Sequence, residues 1–272
     1  MDLRISSQSI LMKNQQDLLL ELLAYRLMCQ WKFNAFLFMS KLIGISTGVK
    51  DVQMAPGNIP CVVINNDFIN LCNKFGNTAI VIGPQNNNLE INASKFDALI
   101  ISGGGDINPE RYNQEIDSKT IRISDNRDFT ELNLFKSAEQ NNVKTLAICR
   151  GHQLLNVYKN GTLYQDLNDS GFKDIEHDKP FEDARSHIHD IEVYEDSKLY
   201  EIIQEKNIMV NSIHHQGIDE LGDDLKITAK SNDGVIEGIE TTNGWNAIGI
   251  QWHPENMIED TYSNLIFDWL NS

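Results

Sequence analysis

The sequence predicts an α/β fold: a mostly parallel central sheet with helices on both faces, plus an added antiparallel layer. Two observations carry this. After residue 41, short apolar and β-branched runs alternate with helical patterns, as buried parallel strands and their crossover helices do. In the second half, short strands follow one another through turn-rich segments such as Ser231-Asn232-Asp233-Gly234, which points to antiparallel pairing. A third observation bounds the domain. No repeat, low-complexity tract or Pro/Gly linker divides the chain after residue 40, so 41–272 is expected to be one domain.

The elements follow in order. Leu42–Ser46 reads as the first strand, and Asn66–Phe75 as a helix stopped by Gly76. Thr78–Ile82 and Ala98–Ser102 are two further strands, the second running into Gly103-Gly104-Gly105-Asp106. A long helix is expected from Asp125 or Asn126 to Asn141. The strand Thr145–Ile148 then ends on Cys149, where a helical pattern begins at once. Ile188–Val193, Ile208–Asn211, Leu225–Ala229, Val235–Glu240 and Ala247–Gln251 complete the strands.

Residues 1–40 form an extension, expected to be largely helical. Leu18 to Met39 is rich in Leu, Phe and Met, but Glu21, Arg26 and Lys32 interrupt it. A spanning helix wants about twenty apolar residues with few or no charges, so no membrane span is expected. The apolar stretch comes late and no small-residue cleavage site follows, which disfavours a signal peptide. Two readings stay open: an amphipathic helix packing on the body or a partner, or an upstream extension to a chain that functionally starts at Met39.

The 272 residues are 41% hydrophobic and 23% charged, the balance of an ordinary globular protein able to bury a full core. A formal charge of −16 argues against binding nucleic acid or an anionic membrane. Cys29, Cys61, Cys72 and Cys149 form no CxxC pair and suggest neither a disulfide framework nor a zinc site. Reduced thiols in a cytoplasmic protein are the expectation. Cys61 and Cys72 read as core cysteines.

Cys149 differs from them. Arg150-Gly151 follows it, giving a sharp strand-to-helix turn with a small residue where the helix meets the strand. There the helix N-terminus can lower the thiol pKa and stabilise a neighbouring anion. His253 and Glu255 stand two apart across Pro254, and an extended segment would put both on one side. A thiolate, an imidazole and an orienting carboxylate form a nucleophilic relay. The glycines of 103–105, at the carboxyl edge of the sheet, let backbone N–H groups approach a substrate oxygen. His187 and His189 share a strand face but lack a third and fourth ligand, so no metal centre is expected. His214-His215-Gln216 is polar enough to line a pocket, with structural and substrate roles both open.

These residues resemble a known family. The Cys149-Arg150-Gly151-His152-Gln153 elbow, His253-Pro254-Glu255, the Gly-rich turn and Asn211-Ser212-Ile213-His214-His215-Gln216 look like class I glutamine amidotransferase domains. The branch they resemble most is that of the free-standing γ-glutamyl hydrolases. Arg127-Asp128, Gly161 to Leu167 and Asp233 to Glu237 extend the likeness, which runs from about residue 41 to the end. Ala147 and Ser102 depart from the pattern, where glycine and proline are more usual, but both are small.

The resemblance implies that Cys149 attacks a γ-glutamyl carbonyl, with His253 as base and then acid and Glu255 orienting it. It implies an oxyanion hole at the N–H groups of Gly104 and Arg150. Gln153 would meet the glutamyl α-amino-acid end, and Arg127, His214, His215 and Gln216 would line the substrate site. It implies no cofactor, and a small γ-glutamyl substrate that could be nucleotide-linked. The assembly is left open, a homo-oligomer included.

Overall likeness within the branch points to hydrolysis of γ-glutamyl-CDP-amidate, a step of capsular phosphoramidate synthesis. Arg111, Tyr112, Arg122 and Arg127 could meet a diphosphate or be ordinary surface residues. The alternatives are γ-glutamyl-γ-aminobutyrate hydrolysis, or a glutaminase subunit feeding ammonia to a separate synthase.

Overall fold

The expected strands all form, and they enter one sheet. In chain order come β1 (Leu42–Ser46), β2 (Gly48–Met54), β3 (Gly57–Val63), α1 (Asn66–Lys74), β4 (Thr78–Ile82), β5 (Ala98–Ile101), α2 (Asp125–Gln140), β6 (Lys144–Ile148) and α3 (Arg150–Tyr158). The second half holds β7 (Leu163–Tyr164), β8 (His189–Val193), α4 (Lys198–Ile203), β9 (Asn207–Val210), β10 (Gly217–Ile218), β11 (Leu225–Ser231), β12 (Ile236–Thr241), β13 (Ala247–Ile250) and α5 (Thr261–Asn271). This computed structural model describes residues 40–55, 57–85 and 91–272. The helix expected in the N-terminal extension lies outside the described residues. Lys41–Ser272 form one unit.

The sheet has nine strands in the order β4-β1-β5-β6-β13-β12-β11-β8-β9. The first five are mutually parallel. From β13 outward the pairing is antiparallel, so the second-half strands extend the same sheet. Alternate residues of the parallel strands feed two cores, because successive side chains point to opposite faces. Ile43, Ile100, Leu146 and Ile148 pack with Phe68 of α1 and Phe267 of α5. Leu99, Ile101 and Ala147 pack with Leu134 and Phe135 of α2 and Leu154 of α3.

Three features depart from expectation. β2 and β3 form a separate antiparallel hairpin. Its mostly exposed strands mix Lys50, Asp51 and Gln53 with the exposed Val49, Met54, Ile59 and Val62, and Pro60 sits where only an edge strand tolerates it. Cys61 is therefore half-buried on this hairpin and not a core residue. The helices α4 and α5 were not among the expected elements, yet both carry local caps. The Ser197 hydroxyl accepts the Tyr200 N–H at 3.0 Å, and the Asp260 carboxylate accepts the Ser263 N–H at 2.8 Å.

Candidate active site

Three neighbouring parallel strands deliver three chemical elements to one edge. β5 runs into the Gly-rich turn, β6 ends at Cys149, and β13 leads through Gln251 and Trp252 to His253. Ile101 lies opposite Ala147, and Ile148 opposite Ile250. The Cys149 N–H donates to the Ile250 carbonyl at 2.8 Å, which locks the elbow to the strand that carries the histidine. Sheet register therefore brings together residues a hundred positions apart.

Cys149 has φ 51° and ψ −105° and caps the N-terminus of α3. A non-glycine residue held there stores about 1–3 kcal/mol. Gly151 explains how the turn closes: a Cβ at that position would lie 2.2 Å from the Ile101 carbonyl oxygen. Cys149 is only 6% exposed. Cys72, buried in the core, has its thiol pushed up to about 11 by burial.

His253 sits between the thiol and a carboxylate. Its Nδ1 is 2.7 Å from Glu255 Oε1, and its side chain also hydrogen-bonds Cys149. With Nδ1 engaged by Glu255, the nitrogen facing the sulfur is Nε2. Burial alone would lower the imidazole pKa, but Glu255 and the Cys149 sulfur hold it well above its ordinary value. Residues 254–256 form a 3₁₀ turn, not the extended segment expected. The tight turn, not strand alternation, folds Glu255 back onto the ring.

Asn211 clamps the histidine backbone from β9's end. Its Oδ1 accepts the His253 N–H at 2.8 Å, and its Nδ2 donates to the His253 carbonyl at 2.9 Å. Sequence reading placed Asn211 in a motif without seeing this role. The signal is a buried carboxamide ending an apolar strand.

The Gly-rich turn rests on a buried ionic network. Arg127 Nη2 donates to the carbonyls of Ser102 at 3.0 Å and Gly103 at 2.9 Å, and its Nε to Glu131 at 2.8 Å. Arg150 pairs its guanidinium with Asp128 and Glu131. Burial would raise the Glu131 carboxyl, yet Arg127 and Arg150 hold it below its ordinary value. A Cβ at Gly104 would strike Arg127 Nη1 at 2.0 Å, so glycine alone lets the turn sit down on the guanidinium. Gly103 is also tight: its Cβ would lie 2.7 Å from His253 Cε1.

The remaining candidates divide. Gln153 is buried, donating to the Gln216 carbonyl at 3.0 Å and to Gln251 at 3.1 Å. Gln216 donates to the Gln165 carbonyl at 3.1 Å. His215 Nε2 lies 3.1 Å from both Asp106 oxygens, and that contact raises its pKa. His214 is fully turned into a buried histidine cluster. Of the arginines, Arg127 is committed to the turn, while Arg111 and Arg122 are exposed. Tyr112 is buried. His187 is exposed beside Asp260 and does not share the surroundings of His189.

A family model, peptidase C26, matches residues 41–255. A Schizosaccharomyces pombe protein provisionally named a glutamine amidotransferase is 40% identical over 189 residues, covering 68% of this chain and 72% of its own. The γ-glutamyl-γ-aminobutyrate hydrolase of Escherichia coli K12 is 30% identical over 181 residues, covering 64% of this chain and 70% of its own. Among solved structures, a glutamine amidotransferase from Thermotoga maritima superposes with TM-score 0.51 at 14% identity, covering 79% of this chain and 76% of the other. That likeness carries the fold, a class I glutamine amidotransferase-like α/β sheet. With the match spanning sheet, elbow and histidine segment alike, this chain belongs to the peptidase C26 family.

Proposed function

We propose that the protein is a cysteine hydrolase of a γ-glutamyl amide bond. The observation that carries this is the strained elbow of Cys149 with His253 bonded to both its thiol and Glu255. The Cys149 sulfur attacks the γ-carbonyl carbon as a thiolate paired with the His253 imidazolium. The carbon–nitrogen bond then breaks, His253 gives its proton to the departing nitrogen, and a γ-glutamyl thioester remains. Water, deprotonated by His253, hydrolyses the thioester to glutamate and frees the thiol.

The oxyanion would be held by the N–H groups of Gly104 and Arg150. Support for Gly104 comes from its neighbour. The Gly103 carbonyl is drawn to Arg127, and a planar trans peptide aims the following N–H the opposite way. On this reading Arg127 is a positioning residue for the turn. Gln153, Gln216 and His215 border the space for the glutamyl end, and His214 supports them from behind.

For the leaving group, the finer proposal is the CDP-bound nitrogen of γ-glutamyl-CDP-amidate, in capsule synthesis within the cytoplasm. The exposed Arg122, whose backbone packs against Gly105, and the exposed Arg111, which faces Asp125 and Asp128, support a diphosphate. The second reading, a γ-glutamyl-γ-aminobutyrate substrate, draws on the E. coli relative. The test is glutamate release from γ-glutamyl-CDP-amidate, γ-glutamyl-γ-aminobutyrate and glutamine. The finer proposal expects kcat/KM for the first to exceed the others at least tenfold, and to fall in Arg122→Ala. Preference for the aminobutyrate amide would overturn it in favour of the second. Glutamine turnover only with an added synthase would replace both with an ammonia-supplying subunit.

A further inference from the structure

Four buried side chains converge in a way the proposed bond cleavage does not require. His177 lies in the loop before β8, His189 opens β8, His214 follows β9 and Glu237 lies on β12. Their candidate ligand atoms all lie within 4.8 Å of one another. Glu237 Oε1 is 3.5 Å from His177 Nδ1, 3.7 Å from His189 Nε2 and 3.7 Å from His214 Nε2. These gaps are too long for good hydrogen bonds. They come close to the edge of a tetrahedron with metal–ligand bonds of 2.0–2.1 Å, roughly 3.3 Å. We propose that His177, His189, His214 and Glu237 bind one divalent transition-metal ion, Zn²⁺ being the best fit to three imidazoles and a carboxylate.

The outer face of each imidazole supports the assignment. His177 Nε2 is 3.1 Å from Asp233 Oδ2, His189 Nδ1 is 3.2 Å from the Asp190 carbonyl, and His214 Nδ1 is 3.0 Å from the Gln216 carbonyl. A metal-bound histidine gives its second nitrogen to just such an acceptor, which fixes the tautomer and aims the free lone pair inward. His177 Nδ1 has one further neighbour, the Ser212 hydroxyl at 3.3 Å.

The centre itself is unsatisfied. Among the described residues, His189 Nε2, His214 Nε2 and both Glu237 oxygens are buried with no hydrogen-bond partner. A buried carboxylate left this way is costly. A protonated Glu237 bonded to one histidine would settle against that ring, whereas Oε1 stands at similar distances from all three. A dication would offset the carboxylate and occupy every inward lone pair.

Four protein ligands leave no open position, so the ion is structural and takes no part in the chemistry. Its place gives it a consequence for the active site. It would tie β8 and β12 to the segment after β9, and that segment begins with Asn211, the clamp on His253. The sequence suggested no metal because the four ligands come from four separate elements.

The test uses the full chain. Elemental analysis of purified protein should find about one zinc per chain. After chelation, added Zn²⁺ should raise the melting temperature, and Co²⁺ should give the intense visible bands of a tetrahedral site. Glu237→Gln and His189→Asn should each lower metal affinity at least tenfold, whereas Cys149→Ala should keep the full metal content, which separates this site from the hydrolytic one. Wild-type protein that binds neither Zn²⁺ nor Co²⁺ after chelation would overturn the proposal, as would variants that retain the metal unchanged. Should a variant fail to fold, the Co²⁺ spectrum and Zn²⁺ melting shift of the wild-type chain still decide.

Discussion

In the proposed mechanism Cys149 couples strain to chemistry at a single residue. Its φ of 51° is unfavourable for any side chain with a Cβ. Cys149→Gly should therefore melt higher than Cys149→Ala, by about 1 kcal/mol in stability, although both are expected to be inactive. Calorimetry of the two variants checks this; equal or reversed stabilities would contradict the strain. The histidine gives a pH prediction. Because His253 has a raised native pKa, its contribution to stability is complete below the unfolded value and is lost as pH rises through the folded one. In the proposed mechanism the imidazolium is also the proton donor, so the alkaline limb of kcat/KM reports its loss. Glu255→Gln should move that limb to lower pH and reduce kcat. An unmoved limb would remove Glu255 from the relay.

At the scale of elements, positions are set by close approach and by buried charge. Gly151→Ala would drive its methyl into the Ile101 carbonyl and should destabilise by about 3 kcal/mol, read from denaturant midpoints. Glu131→Gln removes the carboxylate that Arg127 and Arg150 share, leaving the buried Asp128 against two guanidinium groups, and should cost about 3–5 kcal/mol, the range for breaking a buried pair. The depressed Glu131 pKa adds a sign: its stabilisation is present above the ordinary carboxylate range and is lost as pH falls through the lowered native value. Acid unfolding should accordingly begin at higher pH once another member of the network is weakened, as in Arg127→Lys. Asn211→Ala should leave the fold intact and cut kcat about tenfold or more, because it frees the backbone of His253, the proposed general base.

For the whole molecule, the parts legible in the sequence were those with local signals. The runs at Leu42, Thr78, Ala98 and Thr145 are short, apolar and β-branched, so the parallel half was readable; so was Cys149, since the turn residues after it are contiguous. His253 and Glu255 were readable as a pair, though a 3₁₀ turn joins them where extended backbone was expected. The hairpin of β2 and β3 escaped because exposed strands need no apolar pattern. The Asn211 clamp, the Arg127–Glu131–Arg150 network and the His177 cluster escaped for one reason. Each joins elements that only the folded sheet and its helices bring together, and apart from the i,i+4 pair Arg127–Glu131 no spacing along the chain encodes them.

The most direct measurement is acid-quenched mass spectrometry of the protein turning over a γ-glutamyl amide, with the modified peptide sequenced. The account predicts one glutamyl residue attached through Cys149, absent from Cys149→Ala, which should also release no glutamate. Glutamate release at the wild-type rate by Cys149→Ala, or an adduct on another side chain, would contradict it.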